Sequence, residues 1–133
     1  MQHLKTFENF KIRIKESNHY AETSWSDGDV TITIKDVEEY LDSNNIQPTE
    51  IKVDEIADMC VHNGKKDEAT LKRAQAADLS FPIIMAENNG ERVMILDGHH
   101  RLKKAIDNGV ENIMTRVLEL SDAPEEFRKM FAR

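Results

Sequence analysis

The chain has 133 residues, 39% hydrophobic and 32% charged, with a formal net charge of −7 and one cysteine. That length sets one domain with a core of its own. The lone Cys60 excludes an internal disulfide framework and a multi-cysteine zinc site, and no apolar run reaches the ~20 residues of a membrane span. Residues 1–15 hold no apolar signal-peptide region, so a cytoplasmic protein with no membrane partner is expected. Residues 20–60 carry eleven acids against two bases. Such a chain is a poor non-specific nucleic-acid binder, because that binding is driven by cations. The remaining bases include Lys65, Lys66, Lys72, Arg73, Arg101, Lys103 and Lys104. They read as solvated surface or as a local anion patch.

In chain order, Phe10, Ile12 and Ile14 alternate with Lys11, Arg13 and Lys15, the period of a half-buried strand. Ser26-Asp27-Gly28-Asp29 signals a turn. Val30, Ile32 and Ile34 alternate with threonines in a second strand, expected to pair with the first. Tyr20 and Trp25 read as core fillers. Asp36 with Glu39 reads as a capping box for a helix bearing Val37, Tyr40 and Leu41 and ending at Asn44-Asn45. After Pro48, Ile51 and Val53 suggest a short strand, while Val53, Ile56, Ala57 and Cys60 also fit a helix stripe; a strand followed by a helix is the favoured reading. His62-Asn63-Gly64 is a loop, and 67–78 a helix with Leu71 and Ala74 on one face.

The second half is read more directly. Residues 82–86 form an apolar run of buried-strand type, Asn88-Asn89-Gly90 a hairpin turn, and 92–96 the return strand. A helix follows over 98–108, with Leu102, Ala105 and Ile106 inward and Gly109 as its stop. Residues 113–120 form another strand. Ser121 or Asp122 caps a last helix with Pro124 near its start and Phe127, Met130 and Phe131 on its apolar face. The sum is an α+β fold, a small mixed sheet with flanking helices in a single domain. Residues 1–45 are an N-terminal hairpin and helix extension, 46–120 the core and 121–133 a C-terminal helix.

The chemistry concentrates in Asp97-Gly98-His99-His100-Arg101, where a buried strand turns on a glycine into a helix. First-turn amides and the helix dipole attract an anion. Arg101 offers a donor fork matched to phosphate oxygens, and His99 and His100 transfer protons near neutral pH. Asp97 has three readings: a Mg²⁺ ligand, an orienter of histidine, or a simple helix cap. Together these describe a phosphate site at the end of a sheet strand. Adjacent helical residues point about 100° apart, so His99 and His100 alone do not share a metal ion. A set adding Asp97, His62 or His19 has no support from spacing.

The stretch Asp97-Gly98-His99-His100-Arg101, its helix ending at Asn108-Gly109, and the preceding Pro82-Ile83-Ile84-Met85 resemble the ParB/sulfiredoxin superfamily. Its members pair a "P-I-x-V" strand with a "G-x-x-R" helix start. Residues 51–56 are similar to its opening strand, and the likeness covers 46–120. Sulfiredoxins carry a catalytic cysteine after the motif glycine, where this chain has His99. ParB proteins carry "G-E-R-R", bind CTP and continue into a helix-turn-helix domain, whereas only 121–133 follow the core here. The Asp-Gly-His-x-Arg form looks more like the free serine kinases of this fold. That resemblance implies an ATP, ADP or CTP nucleotide with Mg²⁺ held by Gly98, His99, His100 and Arg101. It implies Asp97 as metal ligand, with His100, Asp97 and Glu55 as catalytic residues; Glu50 and Asp54 fit the last role less well.

Three functions follow as expectations. The first is nucleotide-dependent phosphoryl transfer or hydrolysis, with a nucleotide or other phosphorylated ligand as partner. The second is a ParB-like nucleic-acid-associated protein or nuclease, which the net charge disfavours. The third is a non-catalytic interaction protein using the acidic 20–60 segment.

Overall fold

The computed structural model describes residues 23–132. They form an α+β fold, and the strand of 10–14, His19 and Tyr20 lie outside the described residues. The elements are β1 (Ser24–Asp27), β2 (Val30–Thr33), α1 (Ile34–Ser43), β3 (Thr49–Lys52), α2 (Val53–Ile56), α3 (Glu68–Ala76), β4 (Ile83–Asn88), β5 (Glu91–Asp97), α4 (His99–Asp107), β6 (Asn112–Glu119) and α5 (Glu125–Phe131). Single 3₁₀ turns follow α2 and β6. The main sheet is mixed and has strand order β3-β6-β4-β5. Among the described residues no helix is long and apolar enough to cross a membrane. Contacts divide the chain into two compact units.

Of the described residues, the first unit takes in 23–46, Glu87–Val93 and 118–132. Its hairpin pairs β2 with β1, Trp25 opposite Ile32, across a turn in which Gly28 has φ +63°. The alternation that suggested a strand through Ile34 stops one residue earlier. Thr33 is the N-cap of α1: its hydroxyl accepts from the Asp36 amide at 3.3 Å, and Asp36 accepts from the Thr33 amide at 2.8 Å. The capping box is therefore Thr33/Asp36, three residues before the expected Asp36/Glu39, with Asp36 serving as its N3 acid and not as its N-cap. Asn44 ends α1 as expected.

Tyr40 and Phe127 pack edge to face at 5.5 Å, and Trp25 meets Phe131 likewise at 4.8 Å. Trp25 thus fills space as predicted. The last helix has Pro124 at its cap, while Ser121 and Asp122 lie in the 3₁₀ turn before it. Asn89 and Gly90 both take positive φ, the geometry of a two-residue hairpin turn. Glu119 accepts from both their amides, at 2.8 and 3.1 Å.

The second unit is Gln47–Ala86 with Met94–Val117. β3 pairs antiparallel with β6 and passes into α2 in the expected strand-then-helix order, but Val53, expected in the strand, already opens the helix. Val53, Ile56, Cys60, Ile83, Met85, Ile95, Leu102, Ala105 and Ile113 form its core. α3 starts on an Asp67 cap, buries Ala74 and leaves Leu71 largely exposed. Lys104 of α4 donates to the Gln75 and Ala77 carbonyls at 3.1 and 2.7 Å, satisfying the open end of α3.

Candidate functional site

The motif lies at the β5-to-α4 junction, as the sequence places it. Asp97 ends β5, and Gly98 is the N-cap of α4 with φ +98°. A Cβ at Gly98 would stand 2.6 Å from Ile83 Cγ2 and 2.9 Å from Ile83 Cβ. Only glycine fits, on both conformation and space. No side chain caps α4, and its first turn holds no acid. The first helical bond is Leu102 N–H to the Gly98 carbonyl, at 2.8 Å.

Arg101 is committed within the unit. Its Nη1 donates to the Pro82 carbonyl at 2.7 Å and its Nη2 to Asp97 Oδ2 at 2.8 Å. It therefore ties the entry of β4 to the exit of β5. The cap that the sequence offers, Asp97, is drawn to Arg101 instead of to the helix amides. Two of the five guanidinium N–H groups are used in this way.

A second segment joins the site, which the sequence reading took as a loop, with His62 considered only as an unsupported metal ligand beside His99 and His100. Val61 N–H donates to His99 Nδ1 at 3.2 Å, and the Cys60 thiol donates to the His99 carbonyl at 3.3 Å. The His62 ring stacks on His100, with centroids 4.2 Å apart and planes at 27°, and meets His99 edge-on at 6.0 Å. His62 Nδ1 is buried without a hydrogen-bond partner. Burial holds His99 below the ordinary imidazole value, against the opposing pull of the Ile95 carbonyl and Asp97. Burial, then His100 and Lys65, lower His62; burial, then Arg73, lower His100. Burial pushes the Cys60 thiol up. The site is a set of neutral imidazoles beside an uncapped helix start, with Lys65 and Arg73 contributing positive charge.

The acids are arranged differently. Glu55 is exposed on α2, whose Val53 and Ile56 are buried in the core. Its neighbour Asp54 lines an open groove of about 450 Å³ with Ile106, Gly109 and Val110, at the far end of α4. Glu50 is exposed on β3, opposite Met114. A groove of about 470 Å³ between α3 and α4, lined by Lys66, Leu71, Lys72 and Lys104 among others, contains none of residues 98–101. Among the described residues no group of three His, Cys, Asp or Glu side chains is placed to hold a metal ion. His62 does reach His99 and His100, but as a ring stack. Nothing local in the sequence announced this: Val61 and His99 lie 38 residues apart. The histidine in a Gly-terminated loop was the one available sign.

Compared with known proteins, the chain matches no family model, no curated protein and no solved structure.

Proposed function

We propose that the chain binds the phosphates of a nucleotide on the backbone amides at the start of α4, within a ParB/sulfiredoxin-like core, and catalyses phosphoryl transfer or nucleotide hydrolysis there. One observation carries this reading: the α4 start is uncapped although a carboxylate stands next to it. Asp97 is held by Arg101, so among the described residues no side chain caps the positive end of the helix. Gly98 keeps the backbone bare where phosphate oxygens would approach. Arg101 retains donors beyond the two it uses, and Lys65 and Arg73 add attraction for an anion.

His100, neutral and partly exposed, supplies the proton-transfer group beside the bound phosphate. Asp97 is not taken as a dedicated Mg²⁺ ligand, because its Oδ2 is engaged by Arg101 and, among the described residues, no group of three His, Cys, Asp or Glu side chains is placed to hold a metal ion. Mg²⁺ would arrive with the nucleotide, held mainly by phosphate oxygens, and would neutralise their charge. Glu55 is the proposed activator of an acceptor hydroxyl.

The test is an amide NMR titration with ATP, ADP, CTP and GTP, each with Mg²⁺. The His99, His100 and Arg101 amides are expected to move most for at least one nucleotide. The thermal midpoint should rise with it, since about 2.7 kcal/mol is added at a hundredfold excess over Kd. His100→Ala is expected to keep binding and lose turnover. Silence of these amides towards all four nucleotides would sink the proposal.

A further inference from the structure

We propose that three neutral imidazoles latch the 60–64 loop onto the start of α4, and that acid opens this latch. The device does not depend on whether a nucleotide binds. Its first fastening is the Val61 N–H donated to His99 Nδ1 at 3.2 Å. That nitrogen accepts only while it is unprotonated, and the His99 ring also bonds the Ile95 carbonyl. His99 therefore carries its proton on Nε2 and is neutral when the latch is closed. The second fastening is the face-to-face His62/His100 stack at 4.2 Å. Two charged rings at that distance repel, and a proton on His62 Nδ1 would be a buried donor with no acceptor. The third, the Cys60 thiol on the His99 carbonyl, is indifferent to acid and serves as the hinge.

The groups facing the cluster decide the direction. Lys65 on the loop and Arg73 on α3 oppose a further positive charge. Asp67 at the start of α3 and Asp97 at the end of β5 favour one, more weakly than burial disfavours it. Lys103 and Asp107 of α4 face Cys60. All three imidazoles are thus held below their ordinary value. A proton on His99 Nδ1, on His62 Nδ1, or on both stacked rings opposes a contact that holds the loop, so protonation and opening are linked. A metal clasp does not explain the cluster: stacked rings cannot aim two nitrogens in-plane at one ion, and His99 Nδ1 is already used.

The experiment uses the full chain. Hydrogen exchange and NMR are followed between about pH 7.5 and 5. The Val61 amide is expected to lose roughly tenfold in protection factor, while Met85 in β4 keeps its own. The imidazole resonances of His62, His99 and His100 should titrate with the Val61 amide shift. His62→Phe keeps a flat ring in the stack but cannot be charged, so its Val61 protection should fall less than in the wild type. Constant Val61 protection while the imidazoles titrate would overturn the latch. So would an equal fall in His62→Phe. If that variant does not fold, the wild-type titration decides alone: separate midpoints for Val61 and the imidazoles refute the linkage.

Discussion

Gly98 shows how one residue fixes a site. Its left-handed backbone turns β5 into α4, and its missing Cβ lets the turn lie against Ile83. Gly98→Ala combines left-handed strain with a methyl driven into a packed isoleucine, and is expected to cost about 2–5 kcal/mol in denaturant unfolding. A loss below ~1 kcal/mol would mean that the junction relaxes easily. Arg101 is the second such residue. Lysine cannot reach the Pro82 carbonyl and the Asp97 carboxylate as a fork, so Arg101→Lys is expected to lose about 1–2 kcal/mol in the same assay. The sequence showed this arginine as a donor fork beside a helix start and expected a phosphate on it. Its internal acceptors were not legible, because Pro82 is 19 residues away and only the folded sheet brings it near.

At the scale of elements, turns and helix ends were the most legible features, since their chemistry is local. Asn89-Gly90 announced its hairpin through two residues tolerant of positive φ, and Asn44 and Gly109 marked helix ends. The start of α1 was misplaced because Ile32 and Ile34 keep a strand's alternation while Thr33 already caps the helix. Both isoleucines are buried, so the hydrophobic pattern does not distinguish the two states there. What no local pattern carried was the clamp on the hairpin tip. Glu119 accepts from the Asn89 and Gly90 amides and from Ser121, about 30 residues along from the tip. Burial opposes its charge, yet the hydrogen bonds from Ser121, Asn89 and Gly90 win and hold it below the usual carboxylate range. Glu119→Ala hands two exposed turn amides to water, and is expected to cost about 0.5–1.5 kcal/mol and to speed exchange at Gly90. Unchanged exchange there would show the turn holding itself.

For the whole molecule, the displaced groups define a pH window of stability. His62, His99 and His100 are all lowered, so the unfolded chain binds protons first. Stability is full above the unfolded imidazole value near pH 6.5 and falls as pH drops through the lower folded values. Asp67, Asp78 and Glu119 are lowered too, the first two chiefly by hydrogen bonds from Thr70 and Ser80. They add a second loss below about pH 4. On the alkaline side, burial raises the Cys60 thiol, and burial with Asp122 raises Tyr40. The unfolded chain then ionises first, and stability falls as pH rises past about 9 and again past about 10. Thermal midpoints measured at constant ionic strength should form a plateau between about pH 6.5 and 9, with a two-step descent in acid. Tyr40→Phe separates the alkaline limb. It gives up the hydroxyl bond to the Asp122 carbonyl at 3.2 Å, costing about 0.5–1.5 kcal/mol at neutral pH. It also removes a titrating group, so its midpoint should decline less than the wild type's above about pH 10. If the two curves stay parallel there, the phenol does not govern that limb.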